Sequence, residues 1–447
     1  MLVLPVHRMI VKDLETKKEI VRRLLDEKHA YPTGRLDHVA EAILERRARL
    51  LALAEQHETP FYAYDDAGFA DALTSFRDHF EAHVPRHHAF YAVKSNPHPL
   101  LIAAAVRGGY GLDVSSGREL CVALALPPSP IVFSGPAKST ADLTTAVEHA
   151  DRVIINMDSF RELERLGEVT ASRGKPARAG VRVFTGHHGA WSKFGIPVHD
   201  LKRFWQEARR YPHVQLEGIQ FHLSWNRDAR PYAAILEELA ATLARDFTPD
   251  ERKAIRFLDV GGGYRPHLLE GYFPGDHPLG AVIQTAAGHF GQDTEFTQPF
   301  YVKPSIPLSE YAEVIGKAID EHLRPLLDCD YYTEPGRVVS TFAMHIVLRV
   351  VDRKADDLVI VDGGINMVGW ERYLATYCPV VNLTRPASQE VEVRIGGSLC
   401  DCEDVWGARV YGERVEEGDV LVVPFQGAYS FSTAQEFIRP IPAVYAL

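Results

Sequence analysis

A short apolar run followed by a stretch of helical spacing recurs eight times between positions 88 and 334, and this rhythm restricts the fold more than any other feature. The apolar runs fall near 88–93, 111–114, 131–133, 152–156, 180–184, 216–222, 256–260 and 330–334. Helical patterns lie between them, among them Pro99–Val106, Ser139–His149, Ser159–Leu166 and Tyr232–Arg245. Near-continuous apolar strands separated by helices are the signature of a parallel sheet covered on both faces. Eight β-α units are the number that a closed (β/α)8 barrel requires.

The rhythm stops after Arg337. Strand-like runs follow one another at Ala343–Val351, Leu358–Val361, Glu390–Arg394, Arg409–Tyr411 and Val420–Val423, with Gly, Asp and Pro in the turns. This predicts a second, all-β domain of barrel or sandwich type over 335–447, after a barrel domain over 58–334. Residues 12–57 are charged, with Leu36, Val39, Ala40, Ile43 and Leu44 at helical spacing, so 1–57 reads as a helical extension packed on the body. From about 265 to 308 the chain is rich in Gly, Pro and aromatics without clear period. An insertion of that length after a barrel strand is either an ordered surface loop or a lid or wall of the substrate pocket.

At 447 residues two domains are the natural expectation, and 46% hydrophobic with 24% charged residues is the composition of a globular enzyme. A net charge of -11 without a basic stripe argues against nucleic acid and anionic membranes as partners. The five cysteines are scattered; only Cys400 and Cys402 are close, at a spacing that does not suit zinc, so no metal is expected. Reduced thiols and the lack of a signal-peptide pattern in Met1–Ile10 point to the cytoplasm.

The C-terminal ends of barrel strands carry a barrel's chemistry. Lys94 closes Tyr91-Ala92-Val93, and Asp113 follows Gly111-Leu112. Arg182 lies within Val181-Arg182-Val183, with Ser192-Lys193-Phe194-Gly195 shortly after. His222 ends Gly218-Ile219-Gln220-Phe221, Gly261-Gly262-Gly263 follows Phe257–Val260, and Glu334-Pro335-Gly336-Arg337 ends the eighth unit. Burial lowers a lysine's pKa and makes its amine nucleophilic toward an aldehyde, although a strand-end lysine by itself is more often solvated. Three glycines expose successive amides to a phosphate, and they also serve any tight turn. A buried Glu334 needs a partner, either a protonated pyridine nitrogen or a salt bridge with Arg337.

Taken together these segments resemble the fold type III pyridoxal-phosphate decarboxylases, the group containing ornithine and diaminopimelate decarboxylases. The resemblance spans roughly 58–440, with the motifs in family order. Phe90-Tyr91-Ala92-Val93-Lys94 is similar to the cofactor-lysine motif, and Gly111–Leu120 to the one after it. Ser192–Gly195, Gly261–Gly263, Glu334–Arg337, Gly397-Ser398-Leu399-Cys400-Asp401 and Gly427-Ala428-Tyr429 match in turn. The resemblance implies an alanine-racemase-like barrel with pyridoxal 5'-phosphate as cofactor, held by Lys94 as a Schiff base. It implies that His222 stacks on the ring, and that Gly262, Gly263, Gly336, Arg337 and Tyr429 hold the phosphate. Asp113 and Arg182 are also implied cofactor neighbours, and Glu334 would keep the pyridine nitrogen protonated. Cys400 would return a proton after carbon dioxide leaves, and Asp401 would face the distal end of an amino-acid substrate. In the family these two reach the neighbouring subunit's site, which implies an obligate head-to-tail homodimer with shared active sites.

Two departures concern the substrate side and the phosphate. After His222 the family has x-Gly-Ser, whereas this chain has Leu223-Ser224-Trp225. Either Ser224 supplies the hydroxyl one position early or Trp225 displaces that contact. Diaminopimelate decarboxylases carry Arg-Pro after the Asp-x-Gly turn; here Asp362-Gly363-Gly364 leads to Trp370-Glu371-Arg372-Tyr373-Leu374, leaving Arg372, Tyr373 and Arg337 as candidate substrate contacts. Neither diaminopimelate nor ornithine fits this pattern, and a larger or conjugated diamino acid does, such as a citrate-linked intermediate of siderophore biosynthesis. A racemase on the same architecture would use a tyrosine in place of Cys400 and another partner for the ring nitrogen. A non-catalytic cofactor carrier would not need both Lys94 and Cys400.

Overall fold

In the computed structural model, which describes residues 36–127, 129–188, 193–267, 269–272, 289, 301–302, 305–369 and 377–447, each of the eight apolar runs forms a strand. They are β1 His87–Ala92, β2 Gly111–Val114, β3 Ile131–Phe133, β4 Val153–Met157, β5 Ala177–Phe184, β6 Val214–Gln220, β7 Phe257–Asp259 and β8 Asp330–Thr333. Each pairs in parallel with the next, and β8 pairs with β1 through Tyr331–His87 and Thr333–Ala89, so the sheet closes. Closure leaves no barrel edge among these eight, and every strand is covered outside by helix, which is why the runs read as uninterrupted Val, Ile and Phe.

The helices between them start and stop on local signals. Ser139 caps Thr140–Glu148 in a capping box with Asp142, and Ser159 caps Phe160–Arg173, which ends on Gly174 in the left-handed conformation. Inside the barrel Phe90, Val132, Ile154, Phe257 and Tyr332 form one buried layer, with the Phe257 and Tyr332 rings stacked at 4.8 Å. Gly218 on β6 makes room for it, because a Cβ there would lie 2.0 Å from the Phe257 ring. Outside the barrel, Phe76 and Phe80 of helix Asp66–His83 meet Tyr264, which stacks on Tyr232 at 5.3 Å and meets Tyr311 edge-on.

This barrel unit comprises 66–267 and 305–343. A second unit contains 36–65 and 344–447. Its sheet runs in the order Leu358–Val361, Glu390–Gly396, Val405–Tyr411, Val381–Asn382, Val420–Val423, Met344–Ala355, Phe61–Tyr64, Val444–Ala446. A further pairing of Leu358–Val361 with Met344–Ala355 returns the first six strands on themselves as a small barrel. Helices Asp37–Leu44 and Arg47–Gln56 lay Ala40, Ile43, Leu50 and Ala54 against Phe61, Val347, Val381 and Val422. Arg46 ion-pairs with the buried Asp65, and Asp65 also meets the fully buried His345 at 3.5 Å.

The sequence placed the domain boundaries at 57/58 and 334/335, and the structure divides the chain elsewhere. Phe61–Tyr64 does not join the barrel; it pairs antiparallel with Met344–Val347 and is buried at all four positions. The first division therefore falls at 65/66. The short helix Arg337–Ser340 stays with the barrel, moving the second to 343/344. Most of the 265–308 insertion lies outside the described residues; its Gly271–Tyr272 pairs with Tyr301–Val302 and Gly271 bridges Tyr377. Residues 1–35 also lie outside them. Among the described residues no helix is long and apolar enough to cross a membrane, and no group of three or more His, Cys, Asp or Glu is placed to hold a metal.

Candidate active site

The chain leaves β1 through a 3-10 turn, Val93–Ser95, that puts Lys94 at the strand's C-terminal end. The turn is fixed by Tyr91 Oη donating to Asn96 O at 2.9 Å and Ser95 Oγ donating to Ala92 O at 2.7 Å. Lys94 Nζ then donates to Asp113 Oδ2 on β2, 2.5 Å away. Asp113 is fully buried, and burial followed by repulsion from Glu334 pushes its carboxyl up to about 7, with Lys94 opposing. Its other oxygen, Oδ1, has no hydrogen-bond partner among the described residues. An amine held against a carboxylate that is easily protonated is poised to exchange a proton at neutral pH.

Glu334, directly after β8, is 1% exposed. Gln220 Nε2 donates to its Oε1 at 3.1 Å, Ser134 Oγ approaches the same oxygen at 3.5 Å, and His222 Nδ1 lies 3.0 Å from Oε2. Burial alone would raise its pKa; the His222 hydrogen bond and the Lys94 charge outweigh it and hold the carboxyl at about 2. Glu334 is thus a buried, ionised acceptor, paired with His222 rather than isolated. Burial pushes the imidazole of His222 down, against the pull of Glu334. Arg182 of β5 is almost wholly buried, its guanidinium 4.3 Å from the Phe194 ring centroid.

Gly261, Gly262 and Gly263 pass between these groups. Gly261 and Gly263 have φ of 70° and 96°, and a Cβ on Gly262 or Gly263 would stand 2.2 Å from Glu334 O or 2.1 Å from Leu223 O. All three carbonyls are held, by Glu334 N at 2.8 Å, Tyr232 Oη at 2.6 Å and Asn226 N at 3.1 Å. Gly336 is similarly close, its position lying 3.1 Å from Ala92 and Ser95 side chains if a Cβ were added.

Two further groups were not singled out by sequence reasoning. His188 follows β5; Thr185 N donates to its Nδ1 at 3.0 Å, which places the ring proton on Nε2. That Nε2 is buried without a hydrogen-bond partner among the described residues, and burial with the Arg182 and His222 charges lowers the ring's pKa to about 4. It is a neutral, fixed donor at neutral pH. Asp259, the last residue of β7, accepts from Gly261 N at 2.9 Å, and burial with the adjacent Glu334 charge drives its pKa well above the carboxylate range. Both stand at strand ends, which was the available signal; the protonation of Asp259 follows from burial and from Glu334, remote in sequence, and that of His188 from burial and the nearby Thr185 and Arg182.

Trp225 adopts φ 61° and is 43% exposed, unusual on both counts for a bulky ring. The guanidinium carbons of Arg337 and Arg265 lie 4.6 and 5.3 Å from its ring centroid. Each such contact contributes about 0.5–2 kcal/mol, enough to offset a left-handed backbone that costs of order 1–3 kcal/mol.

Of the residues expected from sequence, Lys94, Asp113, Arg182, His222, Gly262, Gly263, Glu334, Gly336 and Arg337 all belong to the barrel unit. Ser224 belongs there too and is exposed. Cys400, Asp401 and Tyr429 belong to the sheet unit. Cys400 and Asp401 are exposed, so Cys400 is not a small buried hydrophobe. Their turn is pinned by Asp404, which accepts from Ile365 N at 2.8 Å and Leu399 N at 2.6 Å. Arg372 and Tyr373 lie outside the described residues.

A reactive amine, an ionised buried carboxylate and a glycine turn that excludes any side chain match the aldehyde, pyridine nitrogen and phosphate of pyridoxal phosphate. Fold and site together define a pyridoxal-phosphate enzyme built on a (β/α)8 barrel. The pyridoxal-binding domain of the pyridoxal-dependent decarboxylases matches residues 71–274. The diaminopimelate decarboxylase of Aquifex aeolicus is 26% identical over 412 residues, covering 88% of this chain and 87% of that protein. The Bacillus subtilis enzyme is 28% identical over 418 residues, 88% of each. Diaminopimelate decarboxylase from Helicobacter pylori, solved as a mutant complexed with L-lysine, shares the fold at TM-score 0.71 and 23% identity, over 89% of this chain and 93% of that one. The chain is a pyridoxal-phosphate-dependent carboxy-lyase acting on an amino acid, and it is similar over nearly nine tenths of its length to the fold type III decarboxylases.

Proposed function

We propose that this enzyme removes the α-carboxylate of a diamino acid or a conjugated derivative, with citrate-linked diamino acids as the class to test first. The departures around Trp225 and Trp370–Leu374 from the diaminopimelate and ornithine patterns motivate the substrate. The observation that carries the chemistry is the buried set of contacts from Lys94 to Asp113 and from Glu334 to His222 and Gln220. Pyridoxal phosphate, when bound through Lys94, supplies an electron sink for the pair left by departing carbon dioxide.

The chain's own residues do the rest. Asp113 takes and returns a proton at Lys94 Nζ as the amine exchanges partners. The Glu334 carboxylate would meet the ring nitrogen and keep it protonated, while His222 and Gln220 hold that carboxylate in place. Gly262, Gly263, Gly336, Arg337 and Tyr429 bind phosphate, and Arg182 and Ser224 complete the cofactor surroundings. Cys400 delivers the proton that replaces the carboxylate, and Asp401, Arg337, Arg372 and Tyr373 bind the substrate. Exposure of Cys400 and Asp401 on the single chain supports their use in a neighbouring subunit's site, hence a head-to-tail homodimer.

The test is carbon dioxide release by the purified enzyme from a panel of free and conjugated diamino acids. A conjugated substrate should give the highest kcat/KM; rapid turnover of meso-diaminopimelate instead would refute the substrate reading. In Cys400→Ala release should fall about 100-fold or more while the cofactor's visible band persists.

A further inference from the structure

Arg265 stands two residues beyond the glycine turn and has no part in the roles assigned above. Its side chain is placed by neighbours on both sides. Tyr264 before it is fully buried in the cluster of Phe76, Phe80, Tyr232 and Tyr311, and its hydroxyl donates to Gly261 O at 3.2 Å. The Arg265 carbonyl accepts from the buried Ser305 Oγ at 3.2 Å. The backbone at this point is therefore anchored to the barrel and to the glycine turn together.

The guanidinium is 5.3 Å from the centroid of Trp225, and Arg265 as a whole is only 5% exposed. Arg337 stacks on the same indole at 4.6 Å. The two guanidinium groups are thus gathered around one indole, and a single anion could meet both. Trp225 itself adjoins the turn, because Asn226 N donates to Gly263 O at 3.1 Å and Leu223 O faces Gly263. At that junction Trp225 has a left-handed backbone and is 43% exposed. A planar guanidinium with several donors, two residues beyond a backbone turn that admits no side chain and stacked on an indole that adjoins that turn, is suited to a phosphate dianion.

We propose that Arg265, clamped by Trp225, is a phosphate-binding residue of the cofactor site and supplies its second guanidinium beside Arg337. The inference rests on the cofactor site described above and not on the identity of the substrate. It concerns the phosphate rather than the ring, so pyridoxal, which lacks phosphate, is the natural control.

Full-length holoenzyme is resolved with hydroxylamine and retitrated with pyridoxal phosphate or pyridoxal, following the cofactor's visible absorbance. In Arg265→Gln the affinity for pyridoxal phosphate should fall about 10- to 100-fold, the loss of one charge-assisted contact, with pyridoxal binding unchanged within twofold. Trp225→Ala, which frees the guanidinium but keeps its charge, should weaken pyridoxal phosphate by a smaller factor. Inorganic phosphate should tighten pyridoxal binding to the wild type and not to Arg265→Gln. Unchanged affinity for pyridoxal phosphate in Arg265→Gln overturns the proposal, as does equal weakening of pyridoxal phosphate and pyridoxal, which marks a structural role. If Arg265→Gln does not fold, Arg265→Lys and Trp225→Ala carry the same comparison. Failure of every amino acid to release carbon dioxide would count against the proposed function and leave this comparison readable.

Discussion

Replacing Glu334 by Gln isolates the charge at the ring-nitrogen position from its shape. The side chain is 1% exposed, so solvent does not screen it. Gln keeps an acceptor for Gln220 Nε2 at 3.1 Å and for Ser134 Oγ, and it fills the same volume. What disappears is the negative charge that His222 and Lys94 hold at a pKa of about 2. A hydrogen bond to a charged group is worth about 1.5–3 kcal/mol against roughly 0.5–1.5 for a neutral pair, and the demand for that charge grows as electrons enter the ring. The expected loss is about 2–4 kcal/mol of transition-state stabilisation, or about 30- to 1,000-fold in kcat. Single-turnover carbon dioxide release at saturating pyridoxal phosphate measures it, with the visible band and the thermal midpoint as controls. A rate within fivefold of wild type, with cofactor bound, would refute the assigned role. The same substitution changes acid stability. A carboxyl whose folded pKa is depressed contributes stability above about pH 4.5 and loses it as pH falls toward 2, so Glu334→Gln should flatten that limb.

Asp113 should act with the opposite sign. Its folded pKa of about 7 lies above the unfolded value, so the native state binds more protons and this group's contribution falls as pH rises from about 4 to 7. Urea midpoints at pH 5 and 7.5 should therefore diverge more in wild type than in Asp113→Asn, and parallel behaviour would sink the reasoning. Lys138, buried at the end of β3, donates to Gly135 O, Asn156 O and Glu162 Oε1 at 2.8, 2.8 and 2.7 Å. Lys138→Met leaves the buried Glu162 charge uncompensated and should cost about 3–5 kcal/mol, read from the urea midpoint of the barrel unit. Lys138→Met/Glu162→Leu should recover much of that, and a single-variant loss under about 1 kcal/mol would contradict the account.

The strands of the barrel were legible in the sequence because a parallel strand buried on both faces needs an apolar residue at nearly every position. All eight apolar runs became strands, and Lys94, Asp113, His222, Gly262 and Glu334 stood out as polar or glycine residues where those runs end. Such signals are local and survive in a single chain. The pairing of Phe61–Tyr64 with Met344–Val347 did not, because a strand's apolar pattern says that it is buried and not which of several strands covers it. Charge states were equally out of reach. Glu334 is ionised because His222, 112 positions away, meets it at 3.0 Å, and Asp259 holds a proton because it is buried beside Glu334, 75 positions away. The eightfold apolar pattern determined that this chain is a barrel with polar groups at its strand ends; only the closed sheet, by bringing those ends within hydrogen-bond reach, decided which are charged, which are neutral and which hold a proton.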